Sequence, residues 1–322
     1  MSETTKSAQA ANLPQFISAG EALTDLIRTG EEQWLSKTGG STWNVARAAA
    51  SLGASSAFAG AISQDWFGDQ LYAASQESGL DLRFLQRAAR SPLLAVVYET
   101  TPPQYNFIGD NSADLAFDPD LLPAGWQQAV QWVHFGGISL TRAPLAGRLI
   151  ELAEDLHSRG VKISYDPNFR NVMDQRYDSV LKKMAQLADV IKVSDEDLAG
   201  LFRSDDTDAA LATLRDFNPS ATILLTLGSQ GAAIHAGAEH WQVTPPPITV
   251  VDTVGAGDAG IAGLIYSLIQ ESSAAPASSG QPVTPDWLQH LQFSVACGSA
   301  ACLNAGAKPP QLAQVRALLE KT

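Results

Sequence analysis

The sequence predicts an α/β fold, in which helices cover both faces of a mainly parallel β-sheet and a small second β-sheet lies beside it. From Phe16 onward, short runs rich in β-branched and aromatic residues alternate with helix-length segments, which is typical of a parallel sheet. Two stretches, about 24–37 and 93–108, break this alternation, because short strands and turn residues follow one another there. A chain of 322 residues buries a large core without disulfide bonds.

The elements of the main domain follow from this pattern in chain order. The runs predicted as strands are Phe16–Gly20, Ser56–Ile62, Trp132–Phe135, Val161–Tyr165, Val190–Val193 and Ile223–Leu227. The segments predicted as helices are Trp43–Leu52, Pro144–Ser158, Tyr177–Leu187 and Asp208–Phe217.

Two further segments are predicted to lie outside regular structure. Residues 1–12 are polar and small, and we expect a disordered tail there, so that the folded domain spans 13–322. The stretch Glu271–Pro285 is rich in Ser, Ala, Pro and Gly. This composition indicates a loop insertion between two C-terminal helices.

Charge and hydropathy exclude some classes of partner. The chain carries 21 basic and 34 acidic residues, a net charge of −13, which repels a nucleic-acid backbone. No apolar run is as long as a membrane span, and the first twelve residues contain no apolar signal region. Cys297 and Cys302 are five positions apart, which places them on different faces of a helix, so we expect two buried thiols and no disulfide. These features favour a cytoplasmic protein without nucleic-acid or membrane partners.

The strongest chemical signal is the turn Val251-Asp252-Thr253-Val254-Gly255-Ala256-Gly257-Asp258, which leads into an apolar helix. A glycine-rich turn at a helix N-terminus presents free backbone N–H groups, and the helix dipole adds positive potential there. We interpret the N–H groups of Gly255, Ala256 and Gly257 as a hole for phosphoryl oxygens. Asp258 has the wrong charge to bind phosphate, so we predict that it accepts the proton of an attacking hydroxyl. The alternative is an acid that only stabilises the helix N-terminus.

A second signal is the run Thr38-Gly39-Gly40-Ser41-Thr42-Trp43-Asn44, which enters a helix. Paired glycines allow a ligand to approach the backbone closely, and an Asn side chain both donates to and accepts from hydroxyl groups. Taken alone, Gly39-Gly40 is an ordinary turn. Together with the first motif, it predicts a site for a hydroxyl-rich substrate.

With these two motifs the chain resembles the ribokinase-like carbohydrate kinases of the phosphofructokinase-B type, over residues from about 16 to 310. The resemblance implies a ribokinase-like three-layer sandwich in which stretches 24–37 and 93–108 form a β-sheet lid over the sugar site. It also implies ATP and Mg²⁺ as cofactors, leaves K⁺ open as a further cation, and raises a homodimer joined through the lid. The intermediate motifs are similar to those of the fructokinase and 2-keto-3-deoxygluconate kinase branch.

The resemblance also implies roles for individual residues. Arg170, in Asp166-Pro167-Asn168-Phe169-Arg170, would stabilise the transferring phosphoryl group, with a surface ion pair as the alternative. The residues implied in sugar binding are Asp25, Gly39, Gly40, Asn44 and Asp166. Those implied in ATP binding are Ser194, Thr226, Gly228, Gly231 and Asn304. Asp197, in the run Lys192-Val193-Ser194-Asp195-Glu196-Asp197, would hold magnesium through water, and the Asp252 loop would hold a monovalent cation.

Two departures from the family pattern bear on the substrate. Ile108-Gly109 stands where sugar kinases of this branch have a Tyr-Arg pair, so the lid lacks a cation for a sugar-acid carboxylate. Gly260 stands in the helix after Asp258, where the family has a bulky aromatic residue. The sequence therefore favours a neutral sugar, with phosphorylation of fructose to fructose 6-phosphate as the leading reaction.

Other functions remain open at this point. On the same fold, 2-keto-3-deoxygluconate, ribose or a nucleoside is an alternative substrate. A non-catalytic sugar or nucleotide sensor is an alternative of another class, although a pure binder has no use for the Asp258 base. A dinucleotide-dependent oxidoreductase is disfavoured, because no Gly-x-Gly-x-x-Gly follows the first strand.

Overall fold

The alternation of strands and helices builds two sheets, which a computed structural model describes over residues 13–100, 103–274 and 285–321. The strands are β1 Phe16–Ala19, β2 Leu23–Arg28, β3 Trp34–Gly39, β4 Ser56–Ser63, β5 Leu85–Ala88, β6 Leu94–Thr100, β7 Pro103–Ile108, β8 Trp132–Gly136, β9 Lys162–Asp166, β10 Val190–Ser194, β11 Thr222–Thr226, β12 Ala232–Ala236 and β13 Glu239–Val243. The helices are α1 Ser41–Leu52, α2 Trp66–Glu77, α3 Trp126–Ala129, α4 Leu145–Ser158, α5 Asp178–Leu187, α6 Asp195–Phe202, α7 Thr207–Phe217, α8 Ala256–Ala274, α9 Trp287–Ala301 and α10 Leu312–Leu319.

The main sheet has nine strands in the order β13-β12-β11-β10-β9-β8-β1-β4-β5. Neighbours from β11 to β5 run parallel, and the β11–β12 and β12–β13 pairs are antiparallel. One face of the sheet packs against α4 to α7, and the other packs against α1, α8 and α9. The predicted three-layer α/β sandwich of the ribokinase-like type is therefore confirmed.

The two stretches that break the alternation form the predicted second sheet. Its four strands have the order β3-β2-β6-β7, with β2 and β6 parallel and both outer pairs antiparallel. The chain leaves β1 of the main sheet and enters β2 directly, so the small sheet stands over the carboxyl end of β1. Ligands of open α/β sheets bind at the carboxyl ends of the strands. We call this small sheet the lid.

Two of the predicted segments need correction or lie outside the described residues. The stretch Glu271–Pro285 is not a loop throughout, because α8 continues to Ala274 and the apolar face of this helix packs in the core. Residues 275–284 and the predicted tail 1–12 lie outside the described residues. The sequence does not predict the antiparallel strands β12 and β13, of which β13 is the edge strand, since their short runs of polar and small residues carry a weak hydrophobic pattern.

The sequence predicts two buried thiols without a disulfide; the absence of a disulfide between them and the burial of Cys297 are confirmed, but the burial of Cys302 is not. Cys297 and Cys302 are both free thiols, and Cys297 is buried. Cys302 is only half-buried and lines the large cavity described below, because it follows the last residue of α9. Within the described residues, no helix is both long and apolar enough to cross a membrane.

Candidate active site

A single continuous cavity of about 940 Å³ lies between the lid and the carboxyl ends of the main-sheet strands. Its walls come from lid strands β2, β6 and β7, from the segments that follow β8 to β11, and from the first turn of α8. The predicted site residues that line it are Asp25, Gly40, Asn44, Arg170, Ser194, Thr226, Gly228, Gly231, Gly255, Ala256, Gly257 and Asp258. The fold thus brings both sequence motifs to one site.

The glycine-rich turn begins α8 as predicted, but one of its three N–H groups is already used. Gly255 has a φ of 80°, in the left-handed region, and an added Cβ would lie 2.9 Å from the Cβ of Ala307. The N–H group of Ala256 donates to Thr253 O across 3.2 Å. Within the described residues, the N–H groups of Gly255 and Gly257 have no such acceptor. The predicted anion hole therefore has two free backbone donors of the three expected.

Asp258 is held in the cavity by two side chains of α1. The Oγ of Ser41 donates to its Oδ1 across 2.7 Å, and the Nδ2 of Asn44 donates to its Oδ2 across 2.9 Å. Burial raises the pKa of the Asp258 carboxyl, whereas these two hydrogen bonds and the charges of Lys192 and Arg170 lower it. A fixed carboxylate with a raised pKa is suited to accept a proton.

Asn44 keeps one polar atom for a ligand. Its Nδ2 is taken by Asp258, but its buried Oδ1 has no hydrogen-bond partner in the described structure, and the residue lines the cavity. A buried acceptor without a partner costs about 1–3 kcal/mol, which a hydroxyl donor would recover. The predicted contact of Asn44 with a sugar hydroxyl fits this geometry.

The two glycines of the second motif make room for different neighbours. Gly40 precedes α1 with a φ of 114°, and an added Cβ would lie 2.6 Å from Glu21 O. Gly39 does not line the cavity. A side chain there would strike the carboxyl group of Asp25, so Gly39 gives that carboxyl its space. Burial raises the pKa of Asp25 to about 6, and the charge of Arg170 opposes this effect.

Arg170 joins the lid to the catalytic side of the cavity. Its Nη1 donates to Asn168 Oδ1 across 2.7 Å, and its guanidinium carbon lies 5.5 Å from the ring centre of Tyr105 on lid strand β7. Its charge lowers the pKa of both Asp25 and Asp258, after the larger opposing effect of burial. The charge of Arg170 therefore acts on both predicted functional carboxyl groups: Asp25, which is predicted to bind the sugar, and Asp258, which is predicted to accept the proton.

The opposite end of the cavity holds most of the residues that the resemblance implies in ATP binding. Ser194, Thr226, Gly228 and Gly231 end strands or begin turns there. Apolar residues that sequence reasoning did not assign cover the same end: Pro245, Pro246, Pro247, Ile248 and Val250. Asn304 does not line the cavity, and its Nδ2 donates to Ala300 O across 3.4 Å, so the geometry does not support a direct contact with ATP.

Three of the predicted carboxylates also lie outside the cavity wall. Asp166 is fully buried beneath it and pairs with Lys192 at 3.1 Å. Asp197 accepts from the N–H groups of Phe169 and Ser194, at 2.8 Å each, so both of its oxygens are engaged. Asp252 accepts from Val254 N and Gly306 N and thereby ties the turn before α8 to the segment after α9. A direct sugar contact by Asp166 is not supported.

The residues that could contact a metal are the neighbours of Asp197. Asp195 and Glu196 are exposed carboxylates that line the cavity. Within the described residues, no group of three or more His, Cys, Asp or Glu could hold a metal alone. A divalent cation therefore fits here only together with a ligand that supplies oxygens, such as a nucleotide phosphate.

Sequence reasoning missed three polar residues of the site. Ser41 directly follows the glycine pair, and its position three residues before Asn44, on the same face of α1, was the available signal. Glu21 is buried, lines the cavity and accepts from Ser139 N across 3.2 Å, and burial raises its pKa to about 7. Lys192 is 6% exposed and lines the cavity, although a lysine in a β-rich run carries no local signal of burial.

Comparison with known proteins gives a consistent result. The sequence pattern of the pfkB family carbohydrate kinases matches residues 15–314. A fructokinase from Klebsiella pneumoniae is 32% identical over 300 residues, which cover 89% of this chain and 93% of that protein. The structure of a fructokinase with bound ATP from Xylella fastidiosa superposes with a TM-score of 0.83 at 27% identity, covering 96% and 99% of the two chains. An aminoimidazole riboside kinase from Salmonella enterica, complexed with aminoimidazole riboside and an ATP analog, superposes at 0.80 with 25% identity, covering 94% and 99%.

Proposed function

The chain belongs to the pfkB family of carbohydrate kinases, and on that premise we propose that it transfers the terminal phosphoryl group of ATP to a primary hydroxyl of a neutral sugar, with fructose as the leading substrate. The observation that carries this proposal is the position of Asp258. Its carboxyl group lies at the N-terminus of α8, beside two free backbone donors, in a cavity that also reaches the lid. The proposed base, the two backbone donors and the space for the substrate thus lie together in one cavity.

The reaction assigns a separate task to each group. Asp258 accepts the proton as the sugar hydroxyl attacks the phosphorus, and Ser41 and Asn44 fix the direction of its lone pairs. The N–H groups of Gly255 and Gly257 stabilise charge on the transferring phosphoryl oxygens. Arg170 adds positive charge on the lid side. The lid covers the reacting atoms and keeps water away from them.

ATP and Mg²⁺ are the cofactors we propose. The exposed carboxylates of Asp195 and Glu196 would contact the hydration shell of a magnesium ion that arrives with the nucleotide phosphates, and magnesium neutralises phosphate charge. Asp197 is turned away from the cavity, so its action through water remains a prediction. A K⁺ ion near the Asp252 loop also remains a prediction, because both oxygens of Asp252 already accept backbone hydrogen bonds.

A second candidate substrate class follows from the lid. Its cavity face carries Asp25 but is otherwise apolar, with Ile27, Val97, Tyr105 and Phe107 lining the wall. A free hexose has hydroxyl groups in every direction, whereas a riboside with a flat base would place its ring against such a wall. Aminoimidazole riboside or another nucleoside is therefore the alternative to fructose.

A coupled ADP-release assay over a substrate panel tests the proposal. The panel contains fructose, ribose, 2-keto-3-deoxygluconate, adenosine and aminoimidazole riboside, each with MgATP. Turnover of fructose with the highest kcat/KM supports the leading proposal, and higher kcat/KM for a riboside supports the alternative. Absence of turnover with every neutral sugar and nucleoside, although ATP binds, would contradict the kinase proposal and favour a sensor.

We also propose a homodimer joined through the lid, and a cytoplasmic location. The dimer is supported by Trp34 and Leu35, which lie on the lid's outer strand β3 and are 47% and 45% exposed. A reducing compartment is supported by the two free thiols. Sedimentation of the wild type and of a Trp34→Asp variant tests the dimer, because a charge in a lid interface would produce monomers.

A further inference from the structure

Lys192 is a buried lysine beneath the first turn of α8. It lies on β10, its Nζ is 3.1 Å from Asp166 Oδ2 and 3.4 Å from Asp197 Oδ2, and its side chain is 7% exposed. A Cβ added to Gly257 would lie 3.3 Å from this Nζ. The ammonium group therefore lies against Gly257, the residue that directly precedes Asp258 in the first turn of α8.

The charged, ammonium form of Lys192 is favoured in this setting. Burial alone would lower the pKa of Lys192, but the charges of Asp166 and Asp197 outweigh burial and raise it. An ammonium group has three donors, and two of them face these carboxylates. The positive charge of Lys192 also acts on the cavity, because Lys192 forms part of the cavity wall.

We propose that Lys192 is a positioning residue that keeps the Asp258 carboxyl group ionised, and so ready to accept a proton. The inference rests on the proposed kinase function. It follows from the arrangement of charges in the described residues, since Lys192 pairs with Asp166 and Asp197 and lies beneath the first turn of α8, which carries Asp258. Without Lys192, the two buried carboxyl groups of Asp166 and Asp197 and the partly buried one of Asp258 would have lost a shared cation, and neighbouring like charges favour protonation.

The groups that face Asp258 come from each packed element. Helix α1 contributes only neutral donors, Ser41 and Asn44. Strand β10 contributes Lys192, and the segment that ends β9 contributes Asp166 and Arg170, of which Arg170 also lowers the pKa of Asp258. On the remaining side, α9 contributes Ser294, a neutral group that donates to Gly260 O across 2.8 Å. Among the described residues, Lys192 and Arg170 are thus cations that lower the pKa of Asp258, and of these two Lys192 is the buried one.

The first test is the pH dependence of kcat/KM in Lys192→Met and Lys192→Arg. In the wild type, kcat/KM should fall at acidic pH as Asp258 is protonated, and we call this part of the pH profile the acidic limb. In Lys192→Met the acidic limb should shift to a pH about one unit higher, which lowers kcat/KM about tenfold on the acidic side. Lys192→Arg keeps the charge, so its limb should stay in place even if its kcat falls. Lys162→Met is the matched control, because Lys162, on the neighbouring strand β9, also pairs with an aspartate, Asp189, but its side chain is 58% exposed. An unmoved limb in folded Lys192→Met would overturn the proposal.

A second pair of variants covers the case in which Lys192→Met does not fold. Removing both partners of a buried ion pair is tolerated better than removing one. The double variant Lys192→Met/Asp166→Asn is therefore compared with Asp166→Asn alone, and the acidic limb of the double variant should lie about one unit higher. Equal limbs in these two proteins would show that Lys192 acts only structurally.

An activity-independent readout separates this inference from the proposed function. The carboxyl carbon of Asp258 can be followed by ¹³C NMR, assigned by its loss in Asp258→Asn, without any substrate. Its titration midpoint should rise in Lys192→Met and stay in Lys162→Met. A rise in a protein that phosphorylates no sugar would support the role of Lys192 and contradict only the kinase proposal, whereas an unchanged midpoint would overturn the role of Lys192.

Discussion

Arg142 donates from Nη2 to the carbonyl oxygen of Gly109 across 2.6 Å, and the same side chain pairs with Asp114 at 2.9 Å. A Cβ on Gly109 would lie 2.9 Å from this Nη2 and 2.5 Å from Leu93 Cδ1. Gly109 belongs to the Ile108-Gly109 pair, which by resemblance stands where sugar kinases of this branch have Tyr-Arg. In this chain, Arg142 from the main domain fills the space beside Gly109 at the base of the lid.

Gly109→Ala should destabilise the protein by about 1–3 kcal/mol, since an added methyl group overpacks this site. Gly147→Ala is the control, because Gly147 lies in α4 with nothing within 4 Å of the added atom. That change should stabilise by up to about 1 kcal/mol through helix propensity. Urea unfolding of the three proteins measures both values. A Gly109→Ala variant as stable as the wild type would show that Leu93 and Arg142 can move aside without cost, which would contradict tight packing at this site.

Asp258→Asn should lower kcat by about 10²–10⁴, because Asn keeps the size but does not accept the proton. This loss corresponds to about 3–5.5 kcal/mol of barrier. Binding of ATP and sugar, measured by calorimetry, should persist, since the backbone donors of the α8 turn are unchanged. Ser41→Ala removes one of the two hydrogen bonds that fix Asp258 and should give a smaller loss. More than about a tenth of the wild-type rate in Asp258→Asn would show that Asp258 is not the base.

Arg170→Ala should reduce kcat more than it raises the KM for sugar. A cation that meets charge developing at the phosphorus acts more strongly in the transition state than in the ground state. Steady-state kinetics with the preferred sugar measures both constants. Arg176→Ala is the control, because Arg176 pairs with Asp174 at the surface with 89% of its side chain exposed. A raised sugar KM at unchanged kcat would instead assign Arg170 to sugar binding, next to Asp25.

Asp25→Asn should stabilise the unliganded protein at high pH. Burial raises the pKa of Asp25 from 3.8 to about 6, so the folded state disfavours the carboxylate. Between these values the folded protein binds more protons than the unfolded chain, so the free energy of unfolding contributed by Asp25 falls as pH rises. Above this window the cost is about 2–3 kcal/mol, which Asn removes. Melting temperatures at about pH 4 and about pH 8 measure it, and an equal effect of Asn at both would contradict the raised pKa.

Local sequence determined the strands of the parallel sheet, the lid and the turn that holds Asp258. These features depend on patterns within about ten residues, such as β-rich runs and glycines before an apolar helix, which constrain the backbone wherever the chain folds. Gly40 and Gly255 could be found in this way, because both need backbone angles that other residues rarely adopt.

Tertiary structure alone decided which side chains meet at that turn. Asn44 reaches Asp258 across 214 positions of the chain, and Lys192 reaches the space under Gly257 from a central strand. Asp166 and Asp197, for which the sequence predicts contacts with the sugar and with magnesium, point inward and pair with that lysine. The carboxyl ends of parallel strands meet only once the sheet is assembled. Whether a carboxylate there faces the cavity or a buried cation then depends on packing between elements distant in sequence, on which local patterns carry no information.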